Sequence, residues 1–197
     1  SAFAALKDNG QVVTWGEDRY GGAVPSDVAP HLTSDVVKVY PFGVGFAALK
    51  QDGSLHTWGY SGNQGGCADT SAVASELLEG VVDVFNSDHT ACCALKSSGK
   101  LVLWGSTSWA AAGPPAASAV SAKLESGVVK VFSTPQAFAA VKDDGEVVTW
   151  GYDAAADSTS VAEKLKSGVI VTISSTDYAF AALMQDGSVV WWGFVPG

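Results

Sequence analysis

Three histidines, His31, His56 and His89, and three cysteines, Cys67, Cys92 and Cys93, are the side chains of this chain best suited to hold a metal or to act as base or nucleophile. Their spacing argues against both. No histidine has a second ligand at metal spacing, and His89, in the loop "NSDHTA" beside Asp88, has no serine or cysteine nucleophile column near it. That pair reads as a loop hydrogen bond. Neighbours on a strand point to opposite faces, so Cys92 and Cys93 do not chelate one metal together. An odd cysteine count with two adjacent members is a poor disulfide framework, and plain burial of small apolar side chains is expected. The aspartates of "KDDG" and "KQDG" invite calcium, but too few oxygens alternate there and a turn already accounts for them. The expectation is a chain with no catalytic residue, no cofactor and no metal.

The elements that position these residues come from a repeat. Five segments share one outline: "FAALKDNGQVVTWG" (3–16), "FAALKQDGSLHTWG" (46–59), "CCALKSSGKLVLWG" (92–105), "FAAVKDDGEVVTWG" (138–151) and "FAALMQDGSVVWWG" (180–193). None has an insertion. The central Asn9-Gly10, Asp52-Gly53, Ser98-Gly99, Asp144-Gly145 and Asp186-Gly187 predict hairpins with type I′ turns. The flanking runs are apolar at consecutive positions, so both faces of each hairpin should be buried. Trp15, Trp58, Trp104, Trp150 and Trp192 form a column that predicts five buried indoles filling one recurring gap between sheets. His56 falls in the column held by Val13, Val102, Val148 and Val190, as a core or rim substitute. Lys7, Lys50, Lys96 and Lys142, just before the turns, are expected to be solvated strand-end residues.

Upstream of four copies lies another strand, "VVKVY", "VVDVF", "VVKVF" and "VIVTIS". Before each, a polar spacer carries an apolar pair four residues apart: Val28 with Leu32, Val73 with Leu77, Val120 with Leu124, Val161 with Leu165. That spacing predicts a short helical turn, with N-caps at Ser26, Thr70, Ser118 and Ser158. The unit of strand, hairpin, loop and helical turn recurs after 43, 46, 46 and 42 residues. Units of this length with three or four strands mark propeller blades, here in a single repeat domain over 1–197.

With this pattern in view, "VVKV...FAAVKDDGEVVTWG" resembles the repeat of the regulator of chromosome condensation 1 (RCC1) family, in a short Ala/Ser-rich form. The resemblance implies a mainly β fold, a β-propeller or an open arc of propeller blades with short helical spacers. Departures are visible: the glycine-rich loop after Trp-Gly survives only at Gly21-Gly22 and Gly65-Gly66, and five hairpins are too few for seven blades.

Charge narrows the partners. With 11 basic against 20 acidic residues, the formal charge of −9 repels phosphate backbones and anionic lipid at long range, so no nucleic acid partner is expected. No apolar run approaches the length of a membrane-spanning helix, so no direct membrane insertion is expected. The compartment stays open. Selectivity should reside in what differs between copies, which is two loop sets treated as opposite rims. The loops before the hairpins contribute Phe42, His89, Gln136 and Tyr178; the loops after Trp-Gly contribute Asp18, Arg19, Tyr20, Tyr60, Asn63, Gln64, Trp109 and Tyr152, with the aromatics Tyr20, Tyr60, Trp109 and Tyr152 as the candidate contacts of that rim. The function that follows is a non-enzymatic scaffold or accessory subunit presenting such a rim to another protein, within a larger assembly. Two alternatives stand beside it: a small-GTPase regulator, implied by the family resemblance although its loop motif is missing here, and a carbohydrate-binding lectin using the rim aromatics.

Overall fold

The computed structural model describes residues 1–60, 66–87, 91–105, 120–151 and 154–194. Each hairpin of the repeat is one antiparallel pair, and four of the five gain a leading strand. The first sheet is β1 (Ala2–Leu6) with β2 (Val12–Gly16). The second runs β3 (Val36–Phe42), β4 (Gly45–Lys50), β5 (Leu55–Gly59), and the third β6 (Val81–Ser87), β7 (Ala91–Lys96), β8 (Leu101–Gly105). The fourth holds β9 (Val128–Ser133), β10 (Ala137–Lys142), β11 (Val147–Gly151), and the fifth β12 (Ile170–Ser175), β13 (Ala179–Met184), β14 (Val189–Gly193). The first strand of the hairpin is central in every three-stranded sheet.

Alternation along the strands explains why both faces are apolar. In β4, Phe46 and Ala48 pack back onto the first sheet, while Ala47 and Leu49 pack forward onto the third. The same division recurs between the third and fourth sheets and between the fourth and fifth, so the core is four successive layers between blades. The alanines let the sheets approach closely. The ring does not close: the outer faces of the first and last sheets are exposed at Phe3, Trp15, Val189 and Trp191, and the sheets form an open arc of propeller blades.

The hairpin turns sit where the sequence placed them but are of another type. Gly10 donates to the Lys7 carbonyl (3.0 Å) and Lys7 to the Gln11 carbonyl (2.8 Å), and of the turn residues only the glycine has positive φ. This is a type I turn closed by a left-handed glycine, a three-residue loop rather than type I′. Asn9 and Asp52 stabilise it differently from the expectation: their Oδ1 atoms accept the amides of Gln11 (3.1 Å) and Ser54 (2.9 Å). All five turns repeat the backbone pattern.

The spacers form single turns of helix at Ala29–Leu32, Ala74–Leu77, Ser121–Leu124 and Ala162–Lys166, each burying its leucine. Their N-caps are the valines Val28, Val73, Val120 and Val161, without side-chain caps. Ser26 and Thr70 lie too far upstream for that role. Ser158 stands at the N-cap position of a 3-10 turn, Thr159–Val161, that leads into the last helix, without a side-chain cap bond. Ser118 lies outside the described residues.

Candidate interaction rim

The two loop sets occupy one rim, not two. A leading strand and its hairpin run up, down and up, so the loop into the hairpin and the chain leaving after Trp-Gly emerge at the same end. Backbone bonds join them: Glu17 N donates to Ser1 O (3.0 Å), Tyr60 N to Val44 O (2.9 Å) and Phe194 N to Tyr178 O (2.9 Å). The Trp-Gly glycine makes this crossing possible. At Gly59, with φ of 127°, a Cβ would stand 2.4 Å from the Gly45 Cα.

Register separates the residues expected to line the first loop set. Phe42 ends β3, at the position of Thr134 and Thr176, whereas Gln136 and Tyr178 align with Val44. Phe42 is 7% exposed and packs in the layer between the second and third sheets, so it offers a partner little surface. Thr134 and Thr176 instead fold their loops: their Oγ1 atoms accept the amides of Ala137 (2.9 Å) and Ala179 (3.1 Å). Gln136 is half-buried and Tyr178 exposed. His89, Trp109 and Tyr152 lie outside the described residues.

The structure brings Tyr20 and Tyr60 together. Their rings meet edge to face at 6.5 Å, and the Arg19 guanidinium lies 4.1 Å from the Tyr60 ring centre and 5.9 Å from that of Tyr20. A 3-10 turn, Asp18–Tyr20, ended by the left-handed Gly21, sets the geometry. Arginine and tyrosine are the residue types that carry most binding energy at protein interfaces, and here they are held together before any partner arrives. Arg19 belongs to the loop set the sequence singled out; its place against both rings is visible only in the structure.

Below the rim, the tryptophan column does its work unequally. Trp58, Trp104, Trp150 and Trp192 are 2–3% exposed. Three of them reach back into the preceding blade, where Nε1 donates to the carbonyls of Gly21 (3.1 Å), Cys67 (2.9 Å) and Ala155 (3.1 Å), each 37 residues earlier. Trp150 Nε1 has no acceptor among the described residues, and the position 37 residues before it falls outside them. Trp15 is 52% exposed, against the expectation of burial, because no described blade precedes the first sheet.

The cysteines also depart from the expectation. Cys67 and Cys92 form a disulfide, so plain burial describes only Cys93, whose thiol is pushed up by complete burial on the opposite face of β7. The bond occupies a site that the other repeats fill with an aromatic. Phe3, Phe46, Phe138 and Phe180 each pair across the strands with their tryptophan, ring centres 5.2–5.5 Å apart. In the third repeat Cys92 stands opposite Trp104, and its sulfur bonds to Cys67 on the preceding loop. The counterpart of Cys67 is Gly21, where a Cβ would meet the Phe46 ring at 2.9 Å. Phenylalanine thus demands little side chain opposite it; cysteine leaves room for a second cysteine.

Two polar clusters lie away from the rim. His56 does have a partner: its ring stacks on His31 with centres 3.8 Å apart, and its Nε2 lies 3.3 Å from Ser54 Oγ, which donates to Asp52 at 2.7 Å. Burial first, then the neighbouring His31 and Lys50, lowers His56 to about 4, so the ring is neutral near pH 7. Between the second and third sheets, Asp83 accepts from Tyr40 Oη (2.6 Å) and Lys38 Nζ (2.9 Å). Burial works against the Asp83 carboxylate, yet those two donors hold it below its ordinary range. Among the described residues no group of three or more potential ligands could hold a metal, and no helix is long and apolar enough to cross a membrane.

Sheets of this order, layered through their hairpins, define a β-propeller architecture built of RCC1-like repeats. No family model matches the chain, and no curated protein matches it by sequence. Solved structures share the fold. Prp20p of Saccharomyces cerevisiae, the yeast RCC1, is 16% identical with a TM-score of 0.63, covering 98% of this chain and 55% of its own. Human WBSCR16 is 19% identical with a TM-score of 0.57, covering 98% of this chain and 59% of its own. The CRINKLY ectodomain of an Arabidopsis thaliana receptor kinase is 14% identical with a TM-score of 0.57, covering 100% and 66%. The chain spans 55% to 59% of the length of Prp20p and WBSCR16.

Proposed function

We propose that this chain is a non-enzymatic scaffold that binds another protein through the loop rim, with Arg19, Tyr20 and Tyr60 as its anchor. The observation that carries the reading is the preassembled stack of guanidinium and two phenol rings on loops of two successive blades. Prp20p has described binding properties to Gsp1p and histones and a complex with Kap60, which supports a protein as the partner class. Tyr178 and Gln136 extend the same rim.

The test is retention of proteins from cell extract by the immobilised chain, alongside a glycan array, with the wild type and the triple variant Arg19→Ala, Tyr20→Ala, Tyr60→Ala. A specific protein retained by the wild type and recovered about tenfold less by a natively folded variant supports the reading. Glycan binding in its place would establish a lectin, and retention of a small GTPase that the rim variant leaves unchanged would establish the regulator.

A further inference from the structure

At the end opposite the loop rim, three of the four junctions between sheets are tied in the same way. The amides of Val36, Val81 and Val128 donate to the turn carbonyls of Gly10 (3.1 Å), Gly53 (2.9 Å) and Gly99 (2.9 Å) in the preceding blade. The residue before each strand takes a left-handed φ, 62° at Asp35, 69° at Gly80 and 76° at Gly127. The contact is close: a Cβ at Gly10, Gly53 or Gly99 would stand 2.6–2.7 Å from the next blade's backbone.

The fourth junction departs from this pattern. The spacer is one residue longer, counted from the buried leucine (Leu124 to Val128, Leu165 to Ile170). The residue before the strand is now Val169, whose β-branched side chain disfavours the left-handed region and whose φ is not positive. Its carbonyl still accepts from Gln185 N (2.8 Å), which identifies it as the counterpart of Gly127. Among the described residues, however, no amide reaches the Gly145 carbonyl, and a Cβ at Gly145 would meet nothing within 4 Å. A cleft of about 510 Å³ lies at this junction, as one of about 830 Å³ lies at the tied junction before it; what sets this one apart is the turn carbonyl on its wall that no described amide reaches. Val129 and Val169 stand half or more exposed at it.

The cleft lining is more basic than the chain as a whole: Lys130, Lys142 and Lys166 stand against Asp143 and Asp144, in a protein with 20 acidic and 11 basic residues. Lys166 is also 3.7 Å from Glu163, and the Lys142 stem passes Gly127. Asp144 Oδ1 is already engaged by the Glu146 amide (2.9 Å).

We infer that this cleft takes an extended acidic segment of a partner protein. A backbone amide of the segment donates to Gly145 O, as the leading strand does at the other junctions. An apolar side chain enters between Val129 and Val169, and carboxylates face the three lysines. That single backbone bond fixes the segment at the turn, and the valines and lysines supply selectivity. This inference is independent of the loop rim.

The experiment is fluorescence anisotropy on the full chain with a fluorescein-labelled, doubly capped hexapeptide alternating valine and glutamate, and an alternating valine-lysine peptide as control. Saturable binding of the acidic peptide alone is expected. It should weaken about tenfold in Val169→Asp and in the double variant Lys142→Gln, Lys166→Gln, and stay unchanged in the Arg19, Tyr20, Tyr60 variant. Circular dichroism melts keep variants that fail to fold out of the comparison. Absence of saturable binding, equal binding of the lysine peptide, or unchanged affinity in both cleft variants overturns the inference. So does equal loss in the rim variant.

Discussion

The first and fourth hairpins carry nearly the same residues and live in different surroundings. "FAALKDNGQVVTWG" and "FAAVKDDGEVVTWG" have the same turn, the same register and the same Phe-Trp pair, with ring centres 5.5 and 5.2 Å apart. Yet Phe138 and Trp150 are buried, while Phe3 and Trp15 are more than half exposed. A repeat therefore fixes its own hairpin locally, but its aromatic column becomes core only when another blade lies on the upstream side. Stability in such arrays is a sum of units and of interfaces between neighbours, and the first hairpin has only one interface.

The largest effect that could break this comparison is truncation of the buried indole. Trp150→Ala should cost about 3 to 5 kcal/mol through lost contacts and a cavity, whereas Trp15→Ala should cost less than about 1 kcal/mol, both read from urea unfolding. Equal losses would mean that the first hairpin is packed after all. Acrylamide quenching gives a second view: Trp15 and Trp191 should be quenched readily and Trp58, Trp104, Trp150 and Trp192 should resist.

Next in size is the covalent tie of the third repeat. Cys67 and Cys92 are 25 residues apart, and closing a loop of that order stabilises by about 2 to 4 kcal/mol. Cys67→Ser should lower stability by that amount. The double variant Cys67→Gly, Cys92→Phe writes in the Gly21-Phe46 solution of the second repeat and should recover most of it. Failure of the double variant to improve on the single one would show that the repeats are not interchangeable at this site.

The smallest expected effect is on pH dependence. His56 is lowered from 6.5 to about 4, so the folded state binds its proton less readily than the unfolded chain does. Its contribution is fully present above about pH 6.5 and is lost as pH falls towards 4. The groups around it are His31, Lys50 and Asp52. His56→Val, the residue of the equivalent position in other repeats, should therefore show a shallower fall in melting temperature between pH 7 and 4. An unchanged slope would place the acid sensitivity elsewhere, with the Asp83 cluster the next to examine.

Much of this architecture was legible in the chain because a five-fold repeat reports its own geometry. The presence of hairpins and leading strands, the buried leucines of the spacers and the apolar use of both faces follow from periodicity alone. The site was legible only in part. Tyr20 and Tyr60 were visible as variable aromatics, but that they meet around Arg19 depends on how two successive blades are spaced. Phe42 looked like a loop residue because its run ends in glycines, and the register of β3 against β4 made it core.

The sequence by itself determined the local chemistry: an Asx-Gly turn closes a hairpin, alternation assigns each side chain to a face, and the repeat assigns each face a job. Tertiary structure alone decided the rest. Contacts between residues 37 positions apart chose which tryptophans are satisfied, and the approach of two loops onto one strand end merged two expected rims into one. Cys67 and Cys92 were paired by the packing of one blade on the next, which no count of cysteines could reveal. In each case the deciding distance spans two blades, and local sequence carries no information about a distance that only the stacking of sheets creates.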